Sequence, residues 1–131
     1  VTVIRVVAAV VLDEQGRLLV VRKRGTSAFM QPGGKIEPGE QPIEALAREV
    51  REELGVGFDP SGARALGHHG AAAANEPGHQ VAADLFLVSL DGDPRPQAEI
   101  EQMVWIDPGA PGDLELAPLT RDTVLELARV C

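Results

Sequence analysis

The stretch Gly33–Val56, GGKIEPGEQPIEALAREVREELGV, decides the fold. Its second half places apolar residues at Ile43, Leu46, Ala47, Val50 and Leu54, the i, i+3, i+4, i+7, i+11 spacing of one buried helix face. Pro42 suits a first helical turn and Gly55 a left-handed stop, so the spacing predicts a helix over Pro42–Leu54. At roughly 100° per residue, Glu49, Glu52 and Glu53 fall together on a second face beside the apolar one. Like charges at i, i+3 and i, i+4 destabilise a helix by about 0.2–0.5 kcal/mol per pair, and anions near a helix C-terminus meet an unfavourable dipole. Something positive has to compensate them. Arg48 reaches Glu44 or Glu52 at i±4 but not all the carboxylates at once, and clustered hard oxygens suit Mg2+ or Mn2+. The ordinary alternative is a solvated acidic face, which is common on exposed helices. The preceding loop favours a site. Pro32-Gly33-Gly34 and Pro38-Gly39 permit tight turns and bring bare backbone to a ligand, offering carbonyl oxygen to a metal or N–H groups to phosphate.

Working outward, Val3–Leu12 is rich in β-branched residues and Arg17–Arg24 is a second apolar-to-basic run, so the two are expected to pair as a hairpin. Gly25–Gly39 reads as too broken for either regular element. After the helix, Gly57–Gly62 is a connector. Ala63–Ala74 and Val81–Leu90 then read as strands flanking the turn Asn75-Glu76-Pro77-Gly78. Asp91–Gln97 is a loop, Ile100–Ile106 a strand with the only tryptophan, Asp107–Asp113 another loop, and Leu119–Val130 a final helix. Strands and helices intermix without strict βαβ alternation, which points to an α/β chain with a mixed sheet and helices packed on it.

Composition narrows the function classes. At about 100–200 residues per domain, the chain 1–131 is read as one domain. Apolar residues at 44% and charged residues at 24% describe a folding chain. Twenty acidic against twelve basic residues leave a formal charge of −8, so there is no broad footprint for duplex nucleic acid or an anionic membrane. A polyanionic ligand has to be captured by a local device. The longest apolar stretch, Val6–Leu12, falls far short of the ~18–20 residues of a membrane span. The lone Cys131 forms no internal disulfide and no leader pattern is evident, so a reducing cytoplasm is the expected setting.

The pattern G-x(5)-E-x(7)-R-E-U-x-E-E-x-G-U, with U aliphatic, is met at every fixed position by Gly34, Glu40, Arg48, Glu49, Val50, Glu52, Glu53, Gly55 and Val56. It resembles the box of the Nudix hydrolases, and PGGKIEPGE is similar to the matching stretch of MutT-type mutator pyrophosphohydrolases. The resemblance implies the family's α/β/α sandwich with a mixed central sheet. It also implies hydrolysis, by water attack at phosphorus, of the phosphoanhydride in a nucleoside diphosphate linked to another moiety, of nucleoside triphosphate or ADP-sugar type. Negative charge protects such a bond, and bound Mg2+ or Mn2+ masks it. By the same resemblance Glu49, Glu52 and Glu53 are metal carboxylates, the Gly33 carbonyl is a further ligand, and Glu52 or Glu53 is the general base. Arg48 holds a box glutamate in place, while Glu40, Gly34 and Gly55 are structural. A later glutamate joins the metals or acts as base in some members, and Glu99 is the candidate ahead of Glu101. The implied partner is a small nucleotide, with no duplex nucleic acid and no membrane; a homodimer is compatible with this reading.

Other residues are read from their own chemistry. Lys35 beside the loop, with Arg22 and Arg24 at the end of the second strand, is assigned to phosphate; alternation sends Lys23 to the other face. A solvated strand end that blunts an edge is the plain alternative. Phe29 is the stacking candidate ahead of Trp105 and Phe86. His68 and His69 face opposite ways on a strand and His79 follows a turn, so they form no shared site. Three departures from the family pattern bear on substrate. Gln31 stands before Pro-Gly-Gly where many members have an apolar or aromatic residue, which affects the pocket wall. The only asparagine, Asn75, lies in a turn, which argues against a strict 8-oxo-guanine sanitiser. There is no tyrosine, the residue dinucleoside polyphosphate hydrolases often place downstream of the box. The rival readings are a Nudix-fold nucleotide-binding or sensor module without turnover, and an acidic domain that docks a basic protein. The first fits poorly with an intact box, and the second leaves the Gly/Pro loop unexplained.

Overall fold

Strand β1 (Thr2–Val10) and strand β2 (Leu18–Lys23) each read as an unbroken apolar run because both of their faces are covered. In this computed structural model, which describes residues 2–131, Val7, Ala9 and Val11 join Leu19 and Val21 on one side. Ala8 and Val10 join Leu18 and Val20 on the other. The first side packs on Leu46, Val50 and Leu54 of helix α1 (Pro42–Leu54). The second packs on Val124 and Ala128 at the C-terminal end, where a π turn (Thr120–Val124) runs into helix α2 (Leu125–Val130). Sheet between two helical layers is the expected α/β/α arrangement.

The remaining strands are β3 (Gly33–Lys35), β4 (Arg64–Ala72), β5 (His79–Leu87) and β6 (Ile100–Ile106). A mixed four-stranded sheet runs β3-β1-β5-β4, with β1 and β5 parallel and the other pairs antiparallel. β2 and β6 form a separate antiparallel pair. The expected strands on either side of Asn75–Gly78 are present as β4 and β5, and the tryptophan strand as β6.

Two expectations need correction. β1 and β2 share only a turn, in which Leu19 N–H donates to the Val11 carbonyl (3.0 Å) and Asp13 N–H to the Arg17 carbonyl (3.0 Å). They then part into different sheets, because the segment Met30–Lys35 runs between them. Met30 exchanges both backbone hydrogen bonds with Val21 (2.8 Å each), Pro32 O accepts from Ala9 N (2.8 Å), and Gly33–Lys35 pairs with β1. The Gly-rich stretch expected to lack regular structure therefore supplies an edge strand.

Helix α1 starts and stops where its residues dictate. Gln41 N–H donates to the Glu44 carboxylate (2.8 Å), Pro42 takes the first turn, and Gly55 closes the helix at φ 70°. Beyond the cap, the loop after β5 covers two bare carbonyls: Arg95 N donates to Leu54 O (3.0 Å) and Gln97 N to Glu53 O (2.9 Å). Leu46 is fully buried beneath this helix. Leu46→Ala should cost about 2–5 kcal/mol in urea titration. Val3→Ala, at a residue 55% exposed, should stay within about 0.5 kcal/mol; equal losses would contradict this placement of the core.

Candidate active site

The contact of β3 with α1 builds the site. Gly33 donates its N–H to Glu53 Oε1 (3.1 Å). A side chain at Gly33 would collide with the Val7 carbonyl, and one at Gly34 would stand 2.6 Å from the Glu49 carboxylate. Gly33 thus lets the strand lie flush on β1, and Gly34 leaves room for the Glu49 carboxylate. Glu53 is 1% exposed, and its Oε2 is the one buried side-chain polar atom without a hydrogen-bond partner among the described residues.

Arg48 is the positive counterpart the glutamates require. Its Nε and Nη2 donate to the two oxygens of Glu40 (2.9 Å each), and its Nη1 donates to Glu49 Oε1 (2.7 Å). Nη2 also reaches the Lys35 carbonyl (3.2 Å), and Glu52 Oε1 lies 3.8 Å from Nη1. The guanidinium therefore ties the loop, through Glu40 and Lys35, to the helix that carries it. Glu40 further accepts the Glu37 N–H (2.9 Å).

Glu49 and Glu53 come together beneath the loop, whereas Glu52 stands at the rim with over half its side chain exposed. Among the described residues no three or more His, Cys, Asp or Glu side chains converge into a ready metal cluster. Arg48 holds the Glu49 carboxylate in their stead. The donor set nonetheless fits a hard divalent cation, since it is all carboxylate oxygen and includes the orphaned Glu53 Oε2.

A cavity of about 340 Å³, within the usual ~300–1,000 Å³ of ligand pockets, opens beside this ridge. Ile4, Val6 and Ala8 of β1 line it, with the β4–β5 turn, the residues before the π turn, and Gly33–Lys35 around them. Lys35 and Glu99 border it. Lys35 lies 3.9 Å from Glu76 of the turn, and Glu99 lies 3.4 Å from Lys23. Arg22, Arg24 and Phe29 do not border it. Arg22 donates to Gln102 Oε1 and Thr26 O (2.9 and 2.8 Å) and covers the Phe29 ring at 6.0 Å. Phe29 is buried in the α2-side core, and Arg24 pairs with Glu101 at 3.3 Å. The cation of that strand end that faces the cavity is Lys23. Trp105, Phe86 and the three histidines also lie outside it: His68 contacts Asp84, and His69 bonds Leu66 O at 2.8 Å. Gln31 and Asn75 do line it. Their only sequence signal was polarity, in Gln31 at a usually apolar position and in Asn75 at a turn.

The NUDIX domain family model matches residues 2–127. The chain belongs to the NUDIX family. It is 45% identical over 51 residues to the RNA pyrophosphohydrolase of Halorhodospira halophila, covering 39% of this chain and 28% of that protein. It is 41% identical over 58 residues to an 8-oxo-dGDP phosphatase of Homo sapiens, covering 42% of this chain and 18% of that protein. The match thus spans under a third of either curated relative. The MutT protein from Methanosarcina mazei superposes with a TM-score of 0.76 at 24% identity, over 98% of this chain and 94% of that one, a likeness of fold.

The NUDIX box imposes opposite electrostatics on its carboxyls. Arg48, and then the Glu37 N–H, hold Glu40 down to about 2. Burial pushes Glu53 up to about 8; Glu49 adds to the rise and the Gly33 N–H opposes it. Arg48 is held above its ordinary value by Glu40 and then Glu49. The stability linked to Glu40 is present above its unfolded value of 4.5 and is lost as pH falls towards about 2. The stability linked to Glu53 runs the other way, full below 4.5 and lost as pH rises through about 8. Urea titrations in EDTA should show the stability of Glu53→Gln minus wild type climbing between about pH 5 and pH 8, by up to about 1.4 kcal/mol per pH unit. A flat difference would mean that Glu53 is not buried as described.

Proposed function

We propose that this chain hydrolyses a phosphoanhydride in a nucleoside diphosphate linked to another moiety, by water attack at phosphorus, with Mg2+ or Mn2+ bound at the box. The observation that carries the proposal is the buried, unpartnered oxygen of Glu53 beside Glu49, the glutamate that borders the cavity together with Lys23 and Lys35. A carboxylate in that condition is costly unless a cation takes it up. The names of the curated relatives, a pyrophosphohydrolase and a phosphatase, support the same class.

The bound cation would mask phosphate charge and lower the pKa of the attacking water. Glu49, Glu52 and Glu53 would hold it, with the Gly33 carbonyl. Arg48 keeps Glu49 at the ridge, and Glu40 keeps Arg48 there. Lys35 and Lys23 would take phosphate oxygens, each released from its carboxylate neighbour, Glu76 or Glu99. A base needs access to water, which Glu52 and Glu99 have and Glu53, at 1% exposure, lacks. Glu53 is therefore assigned as ligand, and Glu52 or Glu99 as proton acceptor. The chain is taken as a single domain working on a small nucleotide in a reducing cytoplasm.

Purified protein with Mg2+ or Mn2+ should be screened against nucleoside triphosphates, nucleotide sugars including ADP-ribose, and dinucleoside polyphosphates. Metal-dependent release of phosphate, pyrophosphate or a nucleoside monophosphate is expected. Glu52→Gln and Glu53→Gln should each lower turnover by at least ~10²-fold with the fold retained. Near-normal turnover in both would remove the box from the chemistry. No turnover of any nucleotide by the wild type would favour a binding module.

A further inference from the structure

Gln31 lies where the two sheets part, 6% exposed, and its amide has a single possible orientation. Nε2 sits against two carbonyls, Ala9 O of β1 (3.0 Å) and Leu19 O of β2 (3.4 Å), and only the nitrogen can satisfy both. Oε1 consequently points the other way and accepts the Thr120 hydroxyl (3.1 Å). Gln31 and Thr120 both line the cavity.

This arrangement leaves a wall that accepts hydrogen bonds and donates none. Both amide hydrogens of Gln31 and the hydroxyl hydrogen of Thr120 are used within the protein, so only oxygen lone pairs remain. Around them the wall is aliphatic, with Ala8, Ala117 and Leu119. No aromatic residue lines the cavity among the described residues, so ring stacking does not choose the base. A ligand N–H brought to this wall is paired, whereas a ligand carbonyl sets acceptor against acceptor. On the reading above the phosphates go to Lys35 and Lys23, which leaves the base to reach the wall. We propose that Gln31 is the specificity-determining residue of this cavity, and that it selects nucleotides whose base carries an exocyclic amino group over those with a carbonyl in its place. The inference rests on the nucleotide hydrolase reading above.

Two substrate pairs test it, ATP against ITP and CTP against UTP, since each exchanges an amino group for a carbonyl on the same ring. The ring N–H that ITP and UTP gain lies beside that carbonyl, so meeting one wall oxygen with it sets the carbonyl against the other, 3.1 Å away, whereas an amino group offers hydrogens alone. Wild-type kcat/KM should favour ATP and CTP by at least ~10-fold, the worth of one buried acceptor left paired or opposed. Calorimetric binding of AMP against IMP should show the same bias in the absence of turnover. Gln31→Met removes the acceptor at similar volume and should shrink the bias to about 2-fold or less, with the loss in KM rather than kcat. Thr120→Val leaves Oε1 held in place by the Ala9 and Leu19 contacts and should keep the bias. If Gln31→Met fails to fold, the wild-type ratios and Thr120→Val still decide. Equal wild-type use of ATP and ITP overturns the inference, as does a bias that Gln31→Met preserves or Thr120→Val abolishes. A ribose hydroxyl is also a donor, so dAMP is the control. It should bind like AMP, and a loss confined to dAMP would give the acceptor to the sugar and overturn the assignment to the base. Hydrolysis without amino bias sinks this inference alone, whereas the absence of any nucleotide hydrolysis sinks the reading beneath it.

Discussion

The structure depends on the approach of a bare strand edge to a row of carboxylates. Gly33 lies flush on β1, where a side chain would strike the Val7 carbonyl, Gly34 lies against the Glu49 carboxylate, and the Gly33 N–H becomes the hydrogen-bond partner of Glu53, a carboxylate 1% exposed. Glu53 is thus buried beside Glu49 with one oxygen unsatisfied, a condition that structural carboxylates avoid.

Arg48 keeps the remaining charge in order. A fork of guanidinium donors joins Glu40, Glu49 and the Lys35 carbonyl, which spans the loop and the helix with one side chain. Lysine carries the same charge but lacks the planar fork, and its single ammonium does not match two oxygens of Glu40 and a third from Glu49. The unfavourable i, i+3 and i, i+4 repulsions along α1 are thereby compensated at one end of the ridge. The other end, at Glu52, stays open to solvent.

How far the sequence was legible follows the range of the interactions involved. Helix α1 was readable to the residue, because its apolar period, Pro42 and Gly55 are all local signals. The α2-side helix was readable as a segment, although its first turn is wound as a π turn that no local pattern marks. The supposed β1–β2 hairpin failed because adjacency in sequence predicts pairing, while here a distant segment, Met30–Lys35, takes the place between the strands. β3 itself has three residues, two of them glycine, and no period to detect. At the site, alternation correctly separated Lys23 from Arg22 and Arg24. Which face met the cavity depended on β6 and on the path of Thr26–Phe29, and neither is visible in the strand's own residues. Arg22 is consumed by Thr26 O, Gln102 and the Phe29 ring, so the more basic-looking face turned out to be structural.

The two faces of the sheet divide the labour of the molecule. Residues of β1 that point towards α1 pack beneath the glutamate ridge, and those that point the other way, Ile4, Val6 and Ala8, line the cavity. The two buried clusters share strands but no side chains. Changes in the cavity wall therefore reach the ridge through Glu49 and Val7, which border the cavity themselves, and through the backbone of the Met30–Lys35 segment that touches both. Energetic coupling between well-separated side chains is small unless they share a network or a backbone shift. This segment supplies the shared backbone. Gln31 fixes it to β1 and β2 from the cavity side, and Gly33 fixes it to Glu53 from the helix side two residues later. A fold built in this way tolerates variation in what the cavity holds while keeping its cleavage residues in place, provided that this short splice between the sheets does not move.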